Sequence, residues 1–363
     1  MKKILIASYN LDFGGIEKSL VNLLNNIDYN KYDVTLVLED KRGVFLNNIP
    51  KNVRILEYKV SNNKFILVRK IKNMFKRINW LIKNHNKYDS SICYATYSGP
   101  CGFVARTSSK NKVLFVHSNY YQTYDKNVDR VTAFLRKIKI KKYNHIVFVS
   151  NESMKDVCSV YPAIKDKSCV INNIINQEEI IKQSKDSINV DKGNKKVFTF
   201  VGRLDESSKK LSILLDVAQK AKNASVNAMF WIIGSGPDEK MYKSIVKNNK
   251  LDNVVFFGAK KNPYPYIKMS DYVILTSKYE GFPVIYNEAI ILGKPIITTI
   301  DVSDDYININ NRFGYVVTEN EVFNKVKELS NKTEKLKEQI DYNILNNKRI
   351  KKIESVLENN YEI

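Results

Sequence analysis

The sequence predicts an α/β protein made of two doubly wound halves, and three observations predict it. Apolar runs of strand length alternate with longer helical patterns through most of the chain, the arrangement of parallel sheets covered by helices. The alternation stops once, in a polar stretch, and then restarts. With 363 residues, 44% of them hydrophobic, the chain can bury two cores rather than one.

Taken in order, residues 3–8 read as a first strand, 16–26 as the helix after it, and 34–38 as a second strand. Further buried strands are expected at 91–94, 112–116 and 145–149. From about Ile171 the pattern dissolves into charged and polar residues as far as Lys196, which reads as a linker region. Strand and helix alternation resumes with strands at 197–201, 228–233, 253–257, 272–276 and 295–299, and a helix at 211–223. This divides the chain into residues 1–180 and 190–342, followed by a Lys-rich helical segment, 343–363, without a strand of its own, which is expected to pack back on the first domain. Two similar halves imply a cleft between them, where α/β proteins bind ligands.

The formal charge is +21, from 59 basic and 38 acidic residues, so partners carrying negative charge are expected. Cys93, Cys101, Cys158 and Cys169 are scattered, without a metal-type pair or a disulfide framework, and read as reduced, mostly buried thiols. The N-terminal apolar run, 4–7, is too short for a secretory leader, and no segment is long and apolar enough to span a membrane. A cytoplasmic protein is expected, with any membrane contact peripheral.

Three loops carry the chemistry. The first is Glu280-Gly281-Phe282-Pro283-Val284-Ile285, with Glu288 eight positions after Glu280. A helix starting near Pro283 leaves Glu280 in the preceding loop and Glu288 on the second turn. The free amides of Val284 and Ile285 then point at a ligand, because a helix start favours an anion through unpaired N–H groups and its dipole. Carboxylates suit sugar and ribose hydroxyls, which donate hydrogen bonds. The second loop, Gly202-Arg203 to Lys209-Lys210, offers the cations Arg203 and Lys209 that a leaving diphosphate requires. The third holds Gly14 and Gly15, where the backbone can approach a phosphate or sugar closely. Taken singly, each has a plain alternative: a glycine turn, solvated surface charge, or a surface carboxylate. Their order, each after a predicted strand, argues for one site.

These residues resemble the retaining glycosyltransferases of family 4, over nearly the whole chain. The shared features are the Gly14-Gly15 loop, the Gly-Arg-Leu segment with Lys209 downstream, the Ile233-Gly-Ser-Gly-Pro237 turn, and the Glu280 and Glu288 pair. The resemblance implies the GT-B fold, two Rossmann-like domains facing each other across a cleft. It also implies that Arg203 and Lys209 hold the donor diphosphate, Glu280 the donor sugar and Glu288 the ribose, with the nucleobase near Gly234 and the loop from Gly258 to Lys260. His117, at the end of a strand, matches the position where this family sets a histidine beside the donor sugar, a hydrogen-bonding rather than a general-base role. His85 reads as surface and His145 as structural. One departure stands out: the family usually has glycine after the phosphate lysine, and here Lys210 follows Lys209. Spacing from Arg203 favours Lys209, with Lys210 the alternative.

The expected activity is therefore metal-independent, retaining transfer of a sugar from a nucleotide-diphosphate donor, with UDP the commoner base, to a lipid-linked or other envelope glycan. The nucleotide sugar is a co-substrate, no cofactor or metal site is expected, and no nucleic acid partner. A related sugar-nucleotide epimerase or phosphorylase is the nearest alternative. A nicotinamide-dependent dehydrogenase rests on the glycine turn and Glu39, but the spaced G-x-G-x-x-G is missing. A nucleic-acid-binding protein rests on charge alone, without a recognisable module.

Two basic, apolar-studded stretches raise a membrane surface as a partner. Phe65, Val68, Ile71, Phe75, Ile78 and Ile82 recur at helical spacing among Lys64, Arg69, Lys70, Lys72, Lys76, Arg77 and Lys83. The second runs from Phe134 through Arg136, Lys137, Lys139, Lys141 and Lys142. Either the apolar stripe lies on anionic lipid or it faces the domain core with the cations solvated; the pattern allows both.

Overall fold

A computed structural model of the chain describes residues 1–301, 309–310, 312–336 and 338–360. Parts of the expected 190–342 and 343–363 segments thus lie outside the described residues. The chain forms two compact units, Met1–Ile174 together with the segment from Ile344, and Ile175–Asn343.

The first unit carries β1 (Lys2–Ser8), β2 (Tyr32–Leu38), β3 (Arg54–Glu57), β4 (Tyr88–Cys93), β5 (Ser109–Val116), β6 (His145–Phe148) and β7 (Ser168–Val170). Its helices are α1 (Gly15–Leu24), α2 (Ile66–Asn84), α3 (Gly99–Ser108), α4 (Tyr120–Thr123), α5 (Val128–Lys137) and α6 (Asn151–Val160). The strands lie in the order β3-β2-β1-β4-β5-β6-β7, all parallel. Register runs from Lys2 opposite Tyr32 to Ser8 opposite Leu38. Because side chains alternate across a strand, Ile4 and Ile6 enter the core on one face of the sheet, and Leu5 and Ala7 the core on the other.

The second unit has β8 (Lys196–Val201), β9 (Ala228–Ile233), β10 (Val254–Gly258), β11 (Tyr272–Leu275), β12 (Ile296–Thr298) and β13 (Gly314–Val316). Around them lie α7 (Gln177–Gln183), α8 (Glu206–Lys209), α9 (Leu211–Asn223), α10 (Glu239–Asn248), α11 (Tyr264–Met269), α12 (Val284–Ile291) and α13 (Val322–Leu329). This parallel sheet is ordered β10-β9-β8-β11-β12-β13, the doubly wound order of a Rossmann-like unit. The last helix, α14 (Tyr342–Leu357), buries Ile353, Val356 and Leu357 in the first unit. There the Asn111 amide donates to the carbonyls of Val356 and Leu357 at 2.9 and 3.1 Å, and His145 Nε2 meets Asn359 Oδ1 at 2.8 Å.

The sequence pattern passes over three short strands, β3, β7 and β13. β3 and β13 are sheet-edge strands, and with four residues or fewer they present no periodicity to read. The polar stretch also holds α7, read above as linker. Asn176 caps it by accepting from the Glu179 N–H at 3.1 Å, and Ile180 alone is fully buried, too little to produce a helical stripe. The second basic stretch turns inward: Val131 and Leu135 of α5 and Ile140 are buried, and Phe134 packs on Tyr120. Of the two readings left open for that stretch, the structure shows the core-facing one. The four cysteines are free, three of them buried, and burial pushes the Cys93 thiol up to about 12.

Candidate functional site

In the second unit the strand order reverses between β8 and β11, so the loops leaving their carboxyl ends part and leave space for a ligand. The residues singled out in the sequence emerge there. Lys209 ends α8, and its ammonium forms an ion pair with Glu280 Oε1, in the loop after β11. Ser277 Oγ donates to the same oxygen at 2.7 Å. The side chains of Lys209 and Glu280 are only 20% and 12% exposed, so this lysine is a held cation and not a solvated one. The two loops are stitched further by the Lys278 N–H donating to the Ser208 carbonyl at 2.8 Å, and by Thr276 Oγ1, which reaches the carbonyls of Lys209 and Lys210 at 3.1 and 3.0 Å.

The two lysines differ in backbone and in partner. Lys210 has φ 45°, in the left-handed region, and its ammonium pairs with Glu319 instead. That is the conformation in which glycine is at ease, so a lysine here is held in a strained backbone. Lys209, therefore, is the lysine joined to Glu280. Arg203 is not brought into this pair: its side chain is 70% exposed and stands 3.8 Å from Asp205.

Gly234 follows β9 at φ 144°, and a Cβ there would fall 1.8 Å from the Gly202 carbonyl oxygen. Its N–H donates to the Gly258 carbonyl at 2.9 Å, and the Leu204 N–H donates to Ser235 at 3.0 Å. The glycines of three loops are thus laced together through backbone, and only a residue without a side chain fits at 234. The loop rests on two carboxylates the sequence reading missed. Glu206 accepts from Ser212 Oγ at 2.5 Å and Tyr242 OH at 2.8 Å, and Asp238 accepts from the Glu206 N–H at 2.8 Å. Glu206 lay inside the quoted motif, but its partners sit 6 and 36 residues away, with no spacing signal.

Pro283 precedes α12, and Glu288 falls on its second turn, buried, accepting from Tyr264 OH at 3.3 Å. The side chains of Phe282, Val284 and Ile285 pack on the core of the unit, so what they offer a ligand is backbone. Beside them Gly281 is half-buried in the loop.

The remaining expected residues belong to the first unit. α1 begins at Gly15, with Gly14 extended ahead of it, and the Glu17 carboxylate sits over that turn, 2.0 Å from where a Cβ on Gly14 would be. Burial is the main cause of a raised Glu17 pKa, opposed by its own backbone N–H. This helix start therefore already carries a carboxylate of its own chain. His117 follows β5, buried, its ring 4.3 Å from that of Tyr94 and 5.9 Å from that of Phe115. Neither ring nitrogen has a hydrogen-bond partner among the described residues. Burial pulls its pKa down to about 3, so the imidazole is neutral at pH 7 and offers one donor and one acceptor. Tyr94, missed in the sequence, links it to α1 through a 2.9 Å hydrogen bond with Ser19 Oγ. Glu39 accepts from Ser98 Oγ at 2.5 Å, committed to the cap of α3.

Comparison with known proteins assigns both halves. The family described as Glycosyltransferase Family 4 matches residues 13–179, and Glycosyl transferases group 1 matches residues 181–347. An uncharacterized glycosyltransferase of Methanocaldococcus jannaschii is 24% identical, covering 82% of this chain and 74% of that protein. UDP-Gal:alpha-D-GlcNAc-diphosphoundecaprenol alpha-1,3-galactosyltransferase of Escherichia coli is 23% identical over 85% of this chain and 82% of its own. Among solved structures, Anabaena HepE in complex with UDP and glucose superposes with a TM-score of 0.76 at 15% identity, covering 98% of this chain and all of that one.

Proposed function

The chain belongs to the family 4 glycosyltransferases, of GT-B fold, and from that premise we propose that it moves a sugar from a UDP-sugar to a lipid-linked or other envelope glycan acceptor, with retention and without a metal. The observation that carries the reading is the Lys209 and Glu280 pair at the switch point of the second sheet. Lys209 and Arg203 neutralise the charge that grows on the β-phosphate as the glycosidic bond breaks, a state they stabilise more than the intact donor. Glu280, steadied by Ser277, accepts hydrogen bonds from donor sugar hydroxyls, and Glu288, steadied by Tyr264, from the ribose. The Val284 and Ile285 amides meet the phosphate. Neutral His117 hydrogen-bonds to a sugar group and takes no part as a base. The acceptor hydroxyl attacks on the face from which the diphosphate leaves, and a leaving phosphate oxygen takes its proton. The UDP donor and the lipid-linked acceptor are supported by the names of the Escherichia coli relative and of the Anabaena complex.

Thermal-shift measurements against UDP, GDP, ADP and their sugar conjugates test this, beside an Arg203→Ala/Lys209→Ala variant. A ligand at 100 times its Kd stabilises the native state by about 2.7 kcal/mol. UDP is expected to raise the midpoint and the double variant to abolish the rise. An equal rise in both proteins removes Arg203 and Lys209 from the site. Retention is read from the anomeric configuration of the first product by NMR.

A further inference from the structure

We propose that α2 is an in-plane membrane anchor, laid on an anionic lipid surface by an apolar stripe that the fold turns away from its own core. At about 100° per residue, Leu67, Ile71, Met74, Phe75, Ile78 and Ile82 fall within an arc of roughly 120°. All six are exposed, Phe75 to 63% and Ile82 to 79%, and Phe65 just before the helix to 76%. The face diametrically opposite is the one that packs. Trp80 is buried with its ring 5.2 Å from Tyr58, and its Nε1 donates to Ser108 Oγ at 3.3 Å. Asn84 is buried, and Asn73 exchanges two hydrogen bonds with the Ser61 backbone, at 2.7 and 3.2 Å. Polar and aromatic anchors thus hold the helix down while its aliphatic side chains face outward, the inverse of an ordinary surface helix.

Charge selects the occupant. The helix bears Arg69, Lys70, Lys72, Lys76, Arg77 and Lys83: Lys70 and Arg77 fall to one side of the stripe and Lys72 and Lys83 to the other, Arg69 and Lys76 lie on the far side, where the Lys76 ammonium donates to the Lys59 carbonyl, and no carboxylate occurs between Glu57 and Asp89. A second copy of this chain would set six cations against six, without a counter-charge. An anionic bilayer satisfies both features, since it buries the stripe at the headgroup boundary while the lysine stems reach back to the phosphates. The helix is about 28 Å long and lies flat. Among the described residues no helix is long and apolar enough to cross a membrane, so this contact is with one face of the bilayer only.

The test needs neither donor nor acceptor, and so stands or falls apart from the transferase mechanism. The full chain is sedimented with vesicles of mixed phosphatidylglycerol and phosphatidylcholine, and with phosphatidylcholine alone. It is compared with Ile71→Ser/Phe75→Ser/Ile78→Ser and with Lys70→Glu/Lys72→Glu/Lys83→Glu. These positions are exposed, so the variants are expected to keep the circular dichroism and the thermal midpoint of the parent. The parent binds the anionic vesicles and not the neutral ones, and each variant loses about 100-fold or more in affinity. Unchanged vesicle binding by the serine variant overturns the proposal. So does a parent dimer, seen by size exclusion, that the serine variant converts to monomer without any vesicle binding.

Discussion

Replacing His117 with phenylalanine should make the first unit markedly less acid-sensitive. In the folded chain burial holds the His117 pKa at about 3, against 6.5 for the free side chain. The sign follows from which state takes the proton. Between those values the unfolded chain is protonated and the folded one is not, so the stability His117 contributes is whole above pH 6.5 and falls away as the pH drops toward 3. Each pH unit in that window costs about 1.4 kcal/mol, so lowering the pH from 7 to 5 removes about 2 kcal/mol through this one side chain. Phenylalanine keeps an aromatic ring beside Tyr94 and Phe115, carries no proton, and removes two buried nitrogens that have no hydrogen-bond partner among the described residues. The assay is urea unfolding at pH 7 and pH 5, with each protein in a Trp231→Phe background. Buried Trp80 then reports the first unit alone. The parent should lose about 2 kcal/mol more than the variant over that change, a difference of about 1 M or less in midpoint. Equal losses in the two proteins, or an NMR titration in which the His117 ring turns over near pH 6.5, would refute the reasoning.

Three further outcomes are expected. Lys209→Ala and Glu280→Gln should each reduce kcat/KM by about 100-fold, and the double variant should lose far less than the product, because each removes the other's partner; product-rate measurements in a double-mutant cycle decide it. Lys210→Gly should keep activity and leave the thermal midpoint level or slightly raised. Relief of the left-handed strain, about 1 kcal/mol, outweighs loss of the half-exposed Glu319 pair, at most about 1 kcal/mol. Gly234→Ala should destabilise the second unit by more than about 2 kcal/mol and abolish nucleotide binding, since its Cβ would fall on the Gly202 carbonyl; circular dichroism melts and UDP thermal shifts report both.

Long, fully buried strands such as β1, β5, β8 and β9 were legible because a strand buried on both faces is a run of apolar residues with turn signals at its ends. Edge strands such as β3, half-covered and four residues long, carry no such run. Within the candidate site, Lys209, Glu280 and Glu288 were legible as residue types at a spacing. Tyr264 and Tyr94 were not, because each meets its partner through the fold alone, Tyr264 reaching Glu288 across 24 residues and Tyr94 reaching Ser19 across 75.

The sequence by itself determined the doubly wound class, the order of the loops that line each switch point, and a family resemblance strong enough to name the chemistry. All three rest on local periodicity and short motifs, which the chain carries wherever it folds. Tertiary structure decided which lysine meets Glu280, since that depends on the left-handed turn at Lys210 set by two loops 66 residues apart. It left His117 neutral and without a hydrogen-bond partner among the described residues, because desolvation is a property of what surrounds a side chain. And it decided that α2 and α5, both apolar-striped and basic, face opposite ways: periodicity defines a face, while only the packing of neighbours determines whether that face is covered.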